Sequence, residues 1–297
     1  MIMRQRSMRQ SVFLVLALVN SLSLLSGCGG GGGIDTSTTS VAKPPKPTAS
    51  APAPTNFQAI SASSCTLPGD GNAYGGGIHL GSEYYVAQNI FYMPDLTGVT
   101  QCISGTTVSD NGVTQTGVTG LFTWNYPRLG SGFAYPEIIF APGGLNPAMK
   151  LPEIGSTFSM SHDFVLTDSS NDAAVFYDIW VSEATGRQVA EIGLSLQNPR
   201  TLDPKTLEHK DVTIGDHVYD VYSQSATGLA SGRTWLAITL MPKGAIAKGT
   251  ISLKPVVDYL ISQSYLNTTN IISGIDFGVE ITGGSGSLTI NSYSVTQ

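Results

Sequence analysis

The chain has 297 residues, only 12% of them charged, and a formal net charge of −6. An acidic, sparsely charged surface lacks the basic face that binds nucleic acid, so a nucleic-acid partner is not expected. Its 34 glycines and many Ser and Thr residues fit exported β-structure.

The N-terminus carries Arg4, Arg6 and Arg9 and no acid. An apolar run follows over 12–25, broken by Asn20, Ser21 and Ser23. A basic start, a short apolar stretch and small residues at its end describe a signal peptide. The run is short for a membrane-spanning helix. Leu25-Ser26-Gly27-Cys28 resembles the lipobox of bacterial lipoproteins. That resemblance implies cleavage before Cys28, its diacylation, and a partner membrane reached through the lipid. Gly29 in place of Asp favours the outer membrane or cell surface.

Residues 28–58 are mostly Gly, Ser, Thr, Ala, Pro and Lys. They bury little apolar area and form a linker, flexible at the glycines and stiffer at the prolines. The expected organisation is therefore a signal peptide over 1–27, a lipid-anchored linker over 28–58 and one domain over 59–297. Without the leader the charge is −9, from 12 basic and 21 acidic residues. Setting Cys28 aside leaves Cys65 and Cys102, and an oxidising compartment favours their disulfide. In the chain-entropy account such a loop contributes about 3–4 kcal/mol.

Strand-like runs follow in order over 84–93, 120–126, 137–140 and 157–167. Runs over 174–181 and 189–196 flank a turn containing Gly186, which reads as a hairpin. Later runs cover 212–222, 234–241, 274–282 and 287–295. Between them Leu253, Val256, Val257, Leu260 and Ile261 recur at helical spacing, with Pro255 tolerated in the first turn. Many short strands and one helix predict an all-β, concanavalin-like jelly-roll sandwich, the helix packed on the outer sheet.

Alternation along a strand assigns faces. Val175, Tyr177, Ile179 and Val181 share one face; Phe176, Asp178 and Trp180 share the other. The same rule sets Glu191, Gly193 and Ser195 against Ile192, Leu194 and Leu196. It sets Asp276, Gly278 and Glu280 against Ile275, Phe277 and Val279. Asp178, Glu191 and Glu280 thus stand mid-strand, opposite core-facing rows. Gly193 and Gly278, each two residues from a Glu, leave room for a ligand. Paired carboxylates of this kind cleave glycosides: one attacks the anomeric carbon and the other protonates the leaving oxygen. Alternation alone is equally compatible with a solvated face carrying ordinary acids.

Several stretches resemble glycoside hydrolase family 12, the jelly-roll endoglucanases and xyloglucanases. Tyr85-Val86-Ala87-Gln88-Asn89-Ile90-Phe91 is similar to the family's Tyr-x-Val-x-Asn-Asn-Leu-Trp, and lies between cysteines that resemble its early disulfide. Tyr135-Pro136-Glu137 resembles Tyr-Pro-Asn, and Val175 to Trp180 resembles Val-Ala-Tyr-Asp-Leu-Phe/Trp. Residues 190–196 stand where the nucleophile strand belongs. Gly278-Val279-Glu280-Ile281-Thr282-Gly283-Gly284-Ser285-Gly286-Ser287-Leu288 resembles Gly-Thr-Glu-Pro-Phe-Thr-Gly-Ser-Gly-x-Leu.

The resemblance implies Glu191 as nucleophile, Glu280 as general acid/base and Asp178 as the residue that sets the ionisation of Glu191. It implies a polysaccharide substrate of the β-1,4-glucan class, cleaved internally with retention, by a monomer without cofactor or metal. Phe91 stands where the family has Trp, and Gly193 and Ser195 stand where it has Met and Trp. Phe91, Trp124, Tyr126 and Trp180 are the candidate substrate-binding aromatics. Two other readings stay open: a glycan-binding lipoprotein without catalysis, and a xylanase of the related fold. The four histidines show no metal-ligand spacing.

Overall fold

The computed structural model describes residues 57–67, 77–91, 95–109, 112, 114–127, 133–141, 149–227 and 234–297, without the side chain of Phe91. The expected signal peptide, Cys28 and nearly all of the expected linker lie outside them.

Seventeen strands and one helix make up the described part. In chain order they are β1 (Ser61–Ser64), β2 (Ile78–Leu80), β3 (Tyr84–Ala87), β4 (Ile90–Phe91), β5 (Thr100–Val108) and β6 (Gly117–Tyr126). There follow β7 (Phe133–Ala134), β8 (Glu137–Phe140), β9 (Ser159–Asp168), β10 (Ala173–Ser182) and β11 (Gln188–Gln197). The last are β12 (Leu207–Ile214), β13 (His217–Thr227), β14 (Thr234–Pro242), β15 (Lys248–Ser252), α1 (Leu253–Ser262), β16 (Ile271–Ile281) and β17 (Gly284–Thr296).

The strands form two layers. The outer sheet has the order β1-β5-β6-β17-β9-β15. The inner sheet has the order β12-β13-β14-β11-β10-β16-β8-β3-β2, with β7 pairing β16 and β4. Pairing is antiparallel except between β11 and β14. This is the expected jelly-roll sandwich. Its core is where the two apolar faces meet: Phe122, Phe164 and Tyr293 from the outer sheet against Tyr177, Phe277 and Val279 from the inner. The ring centroids of Phe277 and Tyr293 are 5.0 Å apart and those of Tyr177 and Phe277 5.1 Å. His162 belongs to this core, bonded to the Tyr177 hydroxyl at 3.0 Å and the Ile246 carbonyl at 2.7 Å.

The disulfide between Cys65 and Cys102 forms as expected. It fastens the chain after β1 to β5 within the outer sheet. Helix α1 buries Leu253, Val256, Val257 and Leu260. It touches β9 of the outer sheet and β12, the edge strand of the inner one, and so covers the edge between the layers.

Among the differences from the sequence reading, two have clear causes. The run over 212–222 is not one strand but the hairpin β12–β13, turned at Gly215, whose φ of 57° favours glycine. The apolar residues on either side masked the turn. Strand β5 was not foreseen. Its Ser, Thr and Gly residues give little apolar alternation, and pairing with β6 and the disulfide, rather than propensity, hold it in place.

Candidate active site

Strand β10 is buried along its whole length, so its polar face is covered as well as its apolar one. Asp178 sits at its middle. The register puts Asp178 opposite Gly193 of β11 on one side and Asp276 of β16 on the other. Glu191 lies opposite Trp180, and Glu280 opposite Ala174. Asp178, Glu191 and Glu280 therefore share the inner sheet's outward face, as alternation required. All three line one groove. The two glutamates flank β10 on opposite sides and stand six positions apart along it.

Each acid is held by its own donor. The Trp235 indole Nε1 donates to Glu191 Oε2 at 2.8 Å. The Trp180 indole Nε1 donates to Asp276 Oδ2 at 2.7 Å. The Asn89 Nδ2 donates to Glu137 Oε1 at 2.6 Å. Glu280 forms an ion pair with Arg200 Nη1. Arg200 reaches it from the loop after β11, its Nε on Asn198 Oδ1 at 3.2 Å and its guanidinium carbon 6.0 Å from the Phe176 ring centre.

Burial dominates the proton affinities. Asp178 is pushed well above the usual carboxylate range, first by burial and then by repulsion from Glu191, Asp276 and Glu280. Its contact with Glu191 raises the proton affinity of Asp178 and lowers that of Glu191. Burial also pushes Glu191 up to about 8, while the indole of Trp235 and the bond from Asp178 pull it down. Asp276 is pushed up to about 7 by burial, against the pull of Trp180. Glu137 is raised by burial and by Asp276 and Asp178. Asp178 and Glu191 thus form a coupled carboxyl pair, while Glu280 stands beside a cation. Among the described residues, no group of three or more His, Cys, Asp and Glu is arranged to hold a metal ion.

The predicted aromatics are dispersed. Trp124 and Tyr126 belong to β6 of the outer sheet and face the core, 4% and 1% exposed. They cannot reach the groove, which opens on the far side of the inner sheet. Alternation could not separate them from platform residues, because it assigns a face but not a sheet. Trp180 is on the acid-bearing face, packed edge-on to Trp235 with ring centres 6.2 Å apart, and its indole serves Asp276. The Phe91 side chain is outside the described residues.

The two glycines also part company. A Cβ on Gly193 would lie 3.7 Å from both Asp178 Oδ1 and Thr239 Oγ1, ordinary contact distances, and Gly193 lines the groove. A Cβ on Gly278 would lie 2.5 Å from the Pro136 carbonyl oxygen. Gly278 therefore serves the close approach of β8, not a ligand.

Trp235, Arg200 and Asp276 had not been singled out. Trp235 lies on β14, and only the parallel pairing of β14 with β11 brings it to Glu191. Arg200 follows β11 by a few residues, but no periodicity marks a loop side chain. Asp276 was placed on the correct face, and its alternation with Glu280 was the available signal.

No protein-family model matches the chain, and no curated protein matches it in sequence. Solved structures do. A family 12 xyloglucanase from Bacillus licheniformis in complex with ligand is similar at TM-score 0.63 and 19% identity, over 80% of this chain and 99% of that one. Endoglucanase 3 from Trichoderma harzianum, of the same family, is similar at TM-score 0.61 and 18% identity, over 80% and 97%. The xyloglucanase domain of NopAA, a type three effector from Sinorhizobium fredii, is similar at TM-score 0.56 and 20% identity, over 76% and 98%. At these identities the likeness is one of fold: the chain has the two-sheet jelly roll of the family 12 glycoside hydrolase structures.

Proposed function

We propose that this protein is a glycoside hydrolase that cuts β-1,4-glucans internally, cellulose-like chains or xyloglucan, with retention of configuration. The observation that carries the reading is the placement of Asp178, Glu191 and Glu280 in one groove on one face of the inner sheet. The fold shared with endoglucanases and xyloglucanases supports it.

In this mechanism the Glu191 carboxylate attacks the anomeric carbon as the glycosidic bond breaks. Glu280 gives its proton to the leaving oxygen. Glu280 then takes a proton from water, and the resulting hydroxide displaces Glu191 from the sugar. Asp178 and Trp235 both donate to Glu191, which favours its ionised form and fixes its orientation. Glu280 is paired with Arg200 in the free protein through one of its two carboxyl oxygens. The lipobox-like Leu25-Ser26-Gly27-Cys28 supports a tethered enzyme, with the linker letting the groove search near a membrane.

The test is release of reducing ends from xyloglucan, mixed-linkage β-glucan and carboxymethylcellulose. Glu191→Gln and Glu280→Gln are each expected to reduce it by at least a hundredfold; activity surviving both sinks the assignment. The first product's anomeric form, followed by NMR, tests retention. Carboxyls about 5–5.5 Å apart give retention and about 6.5–9.5 Å give inversion, so the six-position offset along β10 makes this measurement decisive. The Arg200–Glu280 ion pair favours a second reading, a glycan-binding lipoprotein without catalysis, which predicts binding with no hydrolysis over long incubation.

A further inference from the structure

The groove at Asp178 does not end at β11. A second, shallow hollow adjoins it and shares Gln224, Ala237 and Thr239 with it. The two are one trough crossing the strands of the inner sheet.

The register shows what paves the trough. Asp178 faces Gly193, Gly193 faces Thr239, and Thr239 faces Tyr222. These four residues form one row across β10, β11, β14 and β13. The two middle members are short, so little rises between Asp178 and Tyr222. Three strand spacings separate the row's ends, about 14 Å. Alternation puts Tyr222, Gln224 and Ala226 on the groove side of β13, with Val221 in the core. Tyr222 is half-buried and lines the second cavity beside Asp203 and Thr206.

We propose that this trough is a sugar-binding arm of the active site and that Tyr222 is the platform on which a neutral β-linked pyranose stacks. The proposal rests on the glucan-cleaving reading of the groove. An apolar sugar face on an aromatic ring combines burial with a specific geometry, and a phenol needs few rotamers to supply it. Asp203, Thr206 and Gln224 surround the ring with hydrogen-bonding groups suited to hydroxyls. Among the described residues lining the two cavities there is no Lys or Arg, whereas Asp178, Glu191, Glu280 and Asp203 are acids. With no Lys or Arg in that lining, nothing there pairs with the carboxylate of a uronate, which favours a neutral glycan. The arm also supplies an aromatic where Gly193 and Ser195 leave none. It lies on the Glu191 side of β10, away from Glu280 and Arg200.

The experiment compares Tyr222→Ala and Tyr222→Phe with the parent, all carrying Glu280→Gln so that bound oligosaccharides survive. Affinity for cellobiose through cellohexaose is read by calorimetry, and circular dichroism confirms equal folding. Tyr222→Ala should weaken binding of the longer oligomers roughly three- to tenfold, the range for an aromatic contact, and leave cellobiose at the acid pair unchanged. Tyr222→Phe, which keeps the ring, should match the parent. Equal affinities for the parent and Tyr222→Ala at every length overturn the platform. So does a loss that is uniform across lengths or shared by Tyr222→Phe. If the parent itself binds none of the oligomers, the glucan reading falls with it, an outcome distinct from a parent that binds and a variant that does not differ.

Discussion

Trp235→Phe removes one donor from Glu191 and little else. The Phe ring keeps the edge-on packing against Trp180, 6.2 Å between ring centres, but loses the Nε1 that sits 2.8 Å from Glu191 Oε2. Glu191 is 4% exposed, so water cannot replace the lost donor freely. A hydrogen bond to a charged group contributes about 1.5–3 kcal/mol. If that bond serves the carboxylate that attacks, kcat/KM should fall roughly 10- to 150-fold at a fixed pH. The direction in pH follows from the same bond. Trp235 pulls the proton affinity of Glu191 down from where burial sets it, so its removal should move Glu191 further above about 8. The acid limb of the kcat/KM profile should then move to higher pH by about one to two units. The assay is reducing-end release from xyloglucan across pH, with the melting temperature as a check on folding. A variant within about twofold of the parent, with its acid limb unmoved, refutes the role assigned to Trp235 and weakens that of Glu191.

Stability should depend on pH in a set direction. Folded Glu191 and Asp276 have proton affinities of about 8 and about 7, above their values in an unfolded chain. The native state therefore holds more protons between those limits. Its stabilisation is complete below about pH 4 and is lost as pH rises through about 7 to 8. Melting temperature should fall across that window, and fall less in Asp276→Asn, which still accepts from Trp180; a flat or rising parent curve would contradict the buried acids. The glycines give a paired prediction, read by urea denaturation. Gly193→Ala should change stability little, since its Cβ meets atoms at 3.7 Å. Gly278→Ala should cost about 1–3 kcal/mol, because its Cβ would strike the Pro136 carbonyl at 2.5 Å and backbone must shift.

Period-two alternation found the acids because each lies in a strand with a strict apolar opposite face. The alternate residues Val175, Tyr177, Ile179 and Val181, then Ile192, Leu194 and Leu196, then Ile275, Phe277, Val279 and Ile281 point inward, so Asp178, Glu191 and Glu280 had to point outward together. Trp124 and Tyr126 were candidates by residue type alone, and residue type does not say which of the two sheets a strand joins; both lie in the core from the outer sheet. The β12–β13 turn was missed for a related reason. Val212, Ile214, Val218 and Tyr222 keep a β-like composition through Gly215, and composition does not say that the backbone turns there.

What no local pattern held is how the acids are tuned. That tuning depends on strand order, which is a long-range property. Trp235 meets Glu191 only because β14 pairs in parallel with β11, and Asp276 lies beside Asp178 only because β16 follows β10 in the sheet. Burying five carboxyls on one sheet face would be costly if all were charged, since each charge raises its neighbours. The structure meets that cost in two ways. Asp178 and Glu191 are coupled beside the Trp235 indole, and Glu280 takes the guanidinium of Arg200. Those devices differ on the two sides of β10, a coupled carboxyl pair on one and an ion pair on the other. A glycan lying across β10 would meet both at once.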